Sequence, residues 1–325
     1  MIKLKKLNHC GIMPNYECSA ACRHCLYACS MTRTGGYMTR EAMDHVCQTL
    51  VQGGCRSVHI GGGEPFLDFT GLIKLLKTAA RHGISVDYIE TNAYWAQDEN
   101  DVKAKLHDLA DAGADTFCIS VDPFHAEYVP YGAPLRLAEL CRKYGFGYFL
   151  WQERFLSMMR GVDAHKVHDR TALTAAISQD YIHDTAQAYG INMGGRAVNI
   201  AKEYYPRRPV GEVISTRPCT GLLSTDHFHV DIYGRFIPPG CTGYAIPLEE
   251  MLQGFQAEKY PAFAASLTGG VGALLEYATA RGFTADPKGY TSNCGLCFHI
   301  RHWLSGQEGC PELDAEHFEE SLLYY

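Results

Sequence analysis

Three cysteines lie close together near the start of the chain. Cys18, Cys22 and Cys25 form a C-x3-C-x2-C pattern within residues 15–30. Clustered cysteines bind zinc, hold iron–sulfur clusters or form disulfides. The segment lacks the second C-x-x-C or His pair that a zinc site would want nearby, so the pattern favours an iron–sulfur centre over zinc or a disulfide. Three sulfurs would leave one corner of a cubane cluster without a protein ligand, and we expect the neighbouring Cys29 to be a bystander.

This cysteine pattern resembles the signature of the radical S-adenosylmethionine (SAM) enzymes. In that family three cysteines hold a [4Fe–4S] cluster, and SAM binds the open iron through its amino and carboxylate groups. The resemblance implies that Cys18, Cys22 and Cys25 hold the SAM-binding cluster. The chain departs from the family at one position, because His24 stands where an aromatic residue usually precedes the third cysteine.

A glycine-rich segment follows the second predicted strand and reads Gly61, Gly62, Gly63, Glu64 and Pro65. Glycines lack a Cβ and let a ligand approach the backbone closely, although a tight turn is the structural alternative. The segment resembles the GGEP motif of the radical SAM family, in which a backbone carbonyl binds the SAM ammonium. We expect Glu64 to fix the loop or lie near the ligand rather than act as a general base.

Polar residues follow three later predicted elements. Asn92, Ser120 and Asp122 resemble the strand-end positions that contact SAM or substrate in the family, and capping of the next helix is the alternative. His125 is a candidate contact for substrate or SAM, although most histidines are structural. Arg196 lies in a segment similar to the family's GRA turn, where an arginine pairs with the SAM carboxylate. A surface ion pair is the alternative for Arg196.

The C-terminal third of the chain contains a second set of cysteines: Cys219, Cys241, Cys294, Cys297 and Cys310. The first four resemble the ligands of a shortened SPASM, or twitch, domain, which binds one auxiliary [4Fe–4S] cluster. The separation between the hairpin glycine and the second cysteine is longer here than the family's usual spacing. A zinc site is the alternative, because two histidines, His299 and His302, follow the C-x2-C pair. Cys310 is a candidate alternative ligand or thiol hydrogen donor.

Predicted strands and helices alternate after the first cysteine segment. The predicted strands are residues 7–13, 57–60, 84–90, 116–121, 146–151 and 191–200. The predicted helices begin at Thr39 and Asp68 or cover residues 98–112, 134–144 and 171–189. The strands are about thirty residues apart, which is the size of a βαβ unit and predicts a parallel sheet covered by helices.

The polar motifs follow the carboxyl ends of the predicted strands, where barrel enzymes place their active sites. We therefore predict an α/β fold, a partial (β/α)6 TIM-like barrel, for residues 1–200. A smaller α+β cluster-binding domain is predicted for residues 201–325, with a hairpin over residues 228–237 that turns at Tyr233 and Gly234.

Composition and charge limit the class of partner and the compartment. The chain has 325 residues, 46% of them hydrophobic, a formal charge of -7 and 14 cysteines. An acidic chain without basic blocks argues against nucleic acid as a main partner. No apolar stretch is long enough to cross a membrane, and the basic N-terminus is not followed by the apolar run of a signal peptide. Many cysteines without a secretion signal are typical of a reducing cytosol, so we expect a cytoplasmic protein.

The resemblance implies reductive cleavage of SAM to a 5′-deoxyadenosyl radical that abstracts a substrate hydrogen atom. It also implies an electron donor such as flavodoxin or ferredoxin, and anaerobic handling. Oxidation through the auxiliary cluster would make the protein an oxidoreductase or maturase acting on a peptide, a protein or a small molecule. The segment before the first strand is too short for a leader-peptide-binding domain. Leader-guided peptide modification is therefore slightly less expected than the other reactions. The alternatives are an epimerase-type enzyme with a cysteine hydrogen donor and, from another class, a structural zinc- or cluster-binding protein.

Overall fold

One sheet with strand order β5-β4-β3-β2-β1-β6-β7-β8 organises this computed structural model, which describes residues 1–192 and 194–318. Its strands are β1 (Cys10–Ile12), β2 (Ser57–Ile60), β3 (Ser85–Thr91), β4 (Thr116–Ser120), β5 (Gly147–Trp151), β6 (Phe228–Val230), β7 (Arg235–Ile237) and β8 (Ile246–Pro247). Strands β1 to β5 are all parallel to their neighbours. The predicted α/β fold with a parallel sheet is confirmed.

Helices alternate with the parallel strands and follow the last of them. They are α1 (Arg40–Gln52), α2 (Phe69–Arg81), α3 (Glu99–Asp111), α4 (Pro123–Ala126), α5 (Gly132–Tyr144), α6 (Arg170–Ala176), α7 (Tyr181–Tyr189) and α8 (Ala197–Tyr204). The side chains of Thr39, Asp68 and Asp98 accept hydrogen bonds from the first turns of α1, α2 and α3, so these helices begin where capping residues predict them. The main apolar core lies between the sheet and helices α1, α2, α3 and α5, and a second apolar cluster includes residues of α4, α6, α7 and α8.

Two sequence predictions in the middle of the chain were wrong. The strand predicted for residues 191–200 is absent from the described residues, because helix α8 begins at Ala197 and buries Val198, Ile200 and Ala201 on one face. The helix predicted for residues 171–189 is instead the pair α6 and α7, separated after Ala176. The barrel wall built from the first part of the chain therefore ends at β5.

The C-terminal part of the chain continues the same sheet. Strand β6 pairs in parallel with β1, and β7 and β8 follow in antiparallel order, which confirms the predicted hairpin. The remaining helices are α9 (Val210–Val213), α10 (Leu248–Gln253), α11 (Pro261–Thr279) and α12 (Asn293–Ser305). The boundary predicted near residue 200 stays a prediction, and the sheet crosses it. None of the described helices combines the length and apolarity needed to cross a membrane.

The two faces of the sheet differ in chemistry. Residues such as Ile12, Ile60 and Ile119 face the helices and are buried in the main core. The residues between them face the inside of the open barrel, and several of these line a cavity: Tyr88, Glu90, Cys118, Ser120, Phe149 and Trp151. The alternation of a β-strand thus gives the barrel an inner wall of polar and aromatic side chains.

Candidate functional site

A cavity of about 440 Å³ lies inside the barrel and beneath the loops at the carboxyl ends of its strands. It brings together many of the residues singled out in the sequence: Cys18, Cys22, Cys25, Gly62, Gly63, Glu64, Asn92, Ser120 and His125. These residues come from four separate strand ends, so only the parallel sheet places them together. Barrel enzymes carry their active sites in this position.

The thiols of the first motif receive hydrogen bonds from the surrounding backbone and amides. The Ala20 N–H donates to Cys18 Sγ and the Cys29 N–H donates to Cys25 Sγ, both at 3.4 Å. The Asn92 amide also donates to Cys18 Sγ, at 3.6 Å. Donors of this kind stabilise thiolates and tune iron–sulfur clusters, so the environment of these cysteines fits a cluster.

Cys29 lies beside the three cysteines and lines the same cavity. A hydrogen bond with the Cys29 thiol lowers the pKa of Cys25 well below its ordinary value, against the opposing effect of burial. The positive charge of Arg196 acts in the same direction. The Cys29 thiol therefore lies close to Cys25, and the expectation that Cys29 is not itself a ligand stays a prediction.

The glycine-rich segment is bonded to the start of the cysteine loop. The Gly63 N–H donates to the Asn15 carbonyl oxygen at 2.9 Å, and the Glu64 N–H donates to the Glu17 carbonyl oxygen at 2.8 Å. A Cβ on Gly63 would lie 1.9 Å from the Glu17 oxygen. Gly63 is thus required by the close approach of two protein backbones, and this contact fixes the cysteine loop over the end of β2.

Glu64 is a buried carboxylate that organises the loops. Its Oε1 accepts from the Thr91 hydroxyl at 2.9 Å and the Phe66 N–H at 3.2 Å, and its Oε2 accepts from the Asn92 N–H at 2.8 Å. Burial raises the pKa of Glu64 to about 7, although these hydrogen bonds oppose the shift. The contacts match the expected loop-fixing role, because Glu64 ties the end of β2 to the end of β3. Pro65, which begins the 3₁₀ turn Pro65–Asp68, is buried beside it.

Asp122 and His125 form a buried pair at the end of β4. One oxygen of Asp122 caps helix α4 through the Phe124 and His125 N–H groups, and the other is 2.7 Å from His125 Nδ1. Burial favours the neutral forms of both side chains, but the attraction between the carboxylate and the imidazolium is stronger. It lowers the pKa of Asp122 to about 2 and raises that of His125 well above its ordinary value. Cys22 adds to the rise in the pKa of His125, so His125 lies close to a cysteine of the first motif.

Arg196 supports the cysteine loop from outside the cavity. Its Nε donates to the Cys22 carbonyl oxygen at 3.0 Å, and its Nη2 donates to the Cys29 carbonyl oxygen. The Arg196 N–H donates to the Cys25 carbonyl oxygen at 3.1 Å. Its side chain lines a neighbouring cavity of about 500 Å³ with Arg23. The contacts described here hold backbone carbonyls, whereas the resemblance implies a contact with the SAM carboxylate, which stays a prediction.

His24 occupies an aromatic environment. Its ring centroid lies 4.7 Å from that of Tyr189, 5.0 Å from that of Phe124 and 5.4 Å from that of His125. Burial lowers the pKa of His24, and its Nδ1 has no hydrogen-bond partner among the described residues. A neutral imidazole thus fills the packing position at which the family usually has an aromatic ring.

The second cysteine set converges around helix α12. Electrostatic interactions couple Cys241 with Cys219, Cys294 and Cys297, and burial, the largest effect, raises its pKa to about 11. The positive charge of the buried Arg301 guanidinium acts against this rise in the pKa of Cys241. The metal centre expected from these four cysteines stays a prediction. The two histidines of the zinc alternative are placed differently, since His299 Nδ1 is 2.7 Å from the Tyr290 hydroxyl and His302 packs against Phe318.

Cys310 lies apart from this set. Its thiol is 3.6 Å from the Tyr277 hydroxyl beside helix α11. The thiols that line the main cavity in the described part of the chain are Cys18, Cys22, Cys25, Cys29 and Cys118. The structure therefore gives no described contact between Cys310 and the cavity, and it points to Cys118 as a cavity thiol that the sequence reasoning missed.

A group of histidines on the inner wall was also missed. His9, His59 and His227 bring their ring nitrogens within 4.8 Å of one another. His229 lies against His59, with the two Nε2 atoms 3.3 Å apart. The available signal was the placement of histidines at alternate positions of strand-like segments, as in His-Phe-His-Val at the start of β6. Without the pairing of β6 with β1, no pattern in the sequence groups these histidines.

A parallel α/β barrel with three cysteine thiols in the cavity at its carboxyl edge is an arrangement that suits a metal-dependent barrel enzyme. Comparison with family models identifies the type of domain. Residues 12–166 match the model of the Radical SAM superfamily, so this part of the chain is a radical SAM domain. The family implies a [4Fe–4S] cluster and SAM, and the thiols of Cys18, Cys22 and Cys25 with their N–H donors fit the cluster.

Individual proteins show more distant similarity. YydG of Bacillus subtilis (strain 168), whose name refers to peptide biosynthesis, is 26% identical over 128 residues, which is 39% of this chain and 40% of YydG. Native anSMEcpe with bound AdoMet and Cp18Cys peptide aligns over 97% of both chains, at 14% identity and a TM-score of 0.44. Streptococcus suis SuiB bound to S-adenosylmethionine aligns over 90% of this chain and 78% of its own, at 14% identity and a TM-score of 0.39.

Proposed function

We propose that this chain is a radical SAM enzyme that modifies a peptide by abstracting a hydrogen atom inside the barrel cavity. The carrying observation is the convergence of Cys18, Cys22 and Cys25 on a cavity that also contains the glycine-rich segment, Asn92 and Ser120. Bound SAM and the cluster would supply the 5′-deoxyadenosyl radical. The similarity to YydG, which covers only 40% of that protein, supports a peptide as substrate.

The open edge of the barrel supports a peptide substrate. Strand β5 is an edge of the sheet in the described part of the chain, and most of its residues are exposed. Phe149 and Trp151 line the cavity and are 39% and 47% exposed. An extended peptide can pair with such an edge while its side chains contact the aromatic rings. The proposed peptide therefore enters beside β5, with one residue reaching the cavity.

The second cysteine set suits an auxiliary cluster that removes an electron from the substrate. Burial is the main reason that the pKa of Tyr27 is raised, and the electrostatic interaction with Cys241 adds to the shift. Tyr27 lines the main cavity, and its interaction with Cys241 supports an electron route from the cavity to the proposed auxiliary cluster at Cys219, Cys241, Cys294 and Cys297. Loss of one hydrogen atom, one electron and one proton would leave the peptide two hydrogens lighter.

A second outcome rests on Cys118. Its side chain faces the cavity from β4, and burial, together with the nearby Glu90, raises the pKa of the thiol. A protonated thiol can return a hydrogen atom to a substrate radical, and the sulfur radical then needs one electron and one proton from the reductant. The product would have an inverted centre and an unchanged mass. Cys118 replaces Cys310 as the proposed donor for this epimerase-type reaction.

The experiment is an anaerobic assay with reconstituted protein, SAM, a strong reductant and a pool of synthetic peptides containing aromatic and aliphatic residues. We expect 5′-deoxyadenosine to form, to increase with the peptide pool, and to lose this increase after protease digestion of the pool. Cys25→Ala should form none. Absence of 5′-deoxyadenosine from the native protein would overturn the proposal, and stimulation that survives digestion would overturn the peptide assignment.

Product mass in deuterated buffer distinguishes the two outcomes. Oxidation gives a product two mass units lighter than the peptide, and it depends on the second cysteine set. Hydrogen return gives a product that gains one deuterium, and Cys118→Ala removes this gain while Cys310→Ala does not. Deuterium that persists in Cys118→Ala would contradict the role of Cys118.

A further inference from the structure

Three histidines surround one point on the inner wall, near the amino ends of the central strands. The ring centroids of His9 and His59 are 5.2 Å apart, those of His9 and His227 are 5.7 Å apart, and those of His59 and His227 are 4.9 Å apart. Each residue offers a ring nitrogen within 4.8 Å of the other two. They come from three adjacent strand regions, β2, β1 and β6, so the pairing of the sheet holds them together.

The central histidine is buried and has an unpaired nitrogen. The side chain of His59 is 0% exposed, and its Nδ1 has no hydrogen-bond partner among the described residues. Leaving a buried polar atom without a partner destabilises a protein, so an unpaired nitrogen within this group indicates a missing ligand. His59 therefore provides an observation independent of the clustering.

Other side chains contact the Nε2 atoms of His9 and His59. His9 Nε2 is 3.1 Å from Asp87 Oδ2. His59 Nε2 is 3.3 Å from His229 Nε2 and 3.6 Å from Glu90 Oε1. Metal-binding histidines usually place their second nitrogen against such a partner, because the contact fixes the tautomer and the ring orientation.

Gly11 allows this arrangement. It pairs with His59 on one side and His229 on the other. A Cβ at position 11 would lie 2.4 Å from His59 Nε2 and 2.4 Å from His229 Cδ2. The two imidazoles meet because the strand between them has no side chain at this position.

We propose that His9, His59 and His227 form a binding site for a zinc ion, separate from both cysteine sets. Three imidazoles suit zinc and related transition metals, and a three-histidine zinc site keeps one position open. His227 lines the main cavity, so the open position faces it and would take water or a substrate oxygen. Zinc needs nitrogens about 2.0–2.1 Å away, which requires small rotations of the partly exposed His9 and the exposed His227. The site does not depend on the proposed peptide reaction.

The test uses full-length protein whose cysteine sites have first been loaded anaerobically with iron and sulfide. Titration with Zn²⁺ is followed by calorimetry, and titration with Co²⁺ by absorption spectroscopy. We expect one additional zinc per chain, and a cobalt spectrum with ligand-field bands but without sulfur-to-cobalt charge transfer. A spectrum dominated by sulfur charge transfer, or no binding beyond the cysteine sites, would overturn the proposal.

Matched variants connect the binding to these histidines. His227→Ala removes an exposed ligand and should weaken zinc binding at least about tenfold, and His9→Gln should do the same. His107→Ala, an exposed histidine on α3, serves as the control and should bind zinc as the native protein does. Zinc should also raise the melting temperature of the native protein and the control, but not that of His227→Ala. Unchanged zinc affinity in both ligand variants would overturn the assignment.

Discussion

Arg196 Nε donates a hydrogen bond to the Cys22 carbonyl oxygen over 3.0 Å, and the same guanidinium reaches the carbonyl of Cys29. One planar group thus spans both ends of the segment that contains the second and third cysteines. The segment has no helix or strand of its own, so these contacts from the loop before α8 determine its shape. A residue that is distant in sequence therefore holds the backbone around Cys22 and Cys25 in place.

Arg196→Lys is expected to weaken the first cluster. A single ammonium cannot hold two carbonyls in the fixed geometry of a guanidinium. We expect cluster retention after gel filtration and 5′-deoxyadenosine formation to fall about 10–100-fold, the usual cost of losing a supporting contact at a metal site. Iron analysis and the SAM-cleavage assay measure this. Arg160→Lys, at an exposed position, is the control, and equal losses in both variants would argue against a specific role.

Single alanine replacements should distinguish ligands from neighbours in the cysteine loop. Cys18→Ala, Cys22→Ala and Cys25→Ala should each lose the first cluster. Cys29→Ala should keep it, because alanine removes the thiol contact with Cys25 but retains the backbone N–H of residue 29 that donates to Cys25 Sγ. Iron content and visible absorption after anaerobic reconstitution provide the readout. A Cys29→Ala protein without this cluster would show that four cysteines are needed.

Gly63→Ala is expected to destabilise the protein severely. The added Cβ would lie 1.9 Å from the Glu17 oxygen, so two bonded loops would have to separate. We expect a loss of about 3 kcal/mol or more in the free energy of unfolding, at the upper end for an overpacked site. Urea denaturation of cluster-free protein measures it. Gly221→Ala, where a Cβ meets nothing within 4 Å, should stay within about 1 kcal/mol of the native protein.

His317 predicts an acid-sensitive contact between the cysteine loop and the C-terminal part of the chain. Its Nε2 is 2.6 Å from the Tyr16 hydroxyl. Burial is the main reason that the pKa of His317 falls to about 4; Arg235 and Arg33 add to the shift, and Asp231 and Asp314 oppose it. Since the unfolded chain binds a proton at higher pH than the folded one, stability from this group is complete above about pH 6.5 and is lost as pH falls towards 4.

His317→Gln should make the pH dependence of stability shallower between pH 6.5 and 4. The native protein is expected to lose about 1–3 kcal/mol more than the variant across this range. Chemical denaturation at several pH values, with cluster-free protein, measures the difference. His165→Gln, an exposed histidine, is the control and should follow the native curve. A variant that loses as much stability as the native protein would contradict the role of His317.

Local patterns predicted most of the parallel sheet and the first three helices. Thr39, Asp68 and Asp98 are capping residues that act through neighbouring backbone, so their effect is visible in the sequence. The missing sixth strand illustrates the limit of this reasoning. Residues 191–200 contain two glycines followed by apolar residues, and only the contact of Gly195 and Arg196 with the cysteine loop explains why the chain turns into α8 there.

The candidate site was predictable where a short sequence motif identifies the functional residues directly. Cys18, Cys22 and Cys25 needed only their spacing. Cys118 and His59 needed the inner and outer faces of the sheet, which depend on strand register rather than on any motif. The hydrogen bonds of Arg196 could not be predicted from the sequence. The family resemblance suggested that Arg196 binds the SAM carboxylate, whereas only the tertiary structure shows that it contacts the carbonyls of Cys22 and Cys29.

The position of β1 between β2 and β6 has a consequence for biosynthesis. β1 leaves the ribosome early, but the strand that completes its pairing begins only at Phe228. Until then one side of β1 is an open edge, and the following cysteine loop has no partner for Tyr16 near the chain's other end. A fragment ending at residue 200 would lack both contacts and is therefore expected to aggregate.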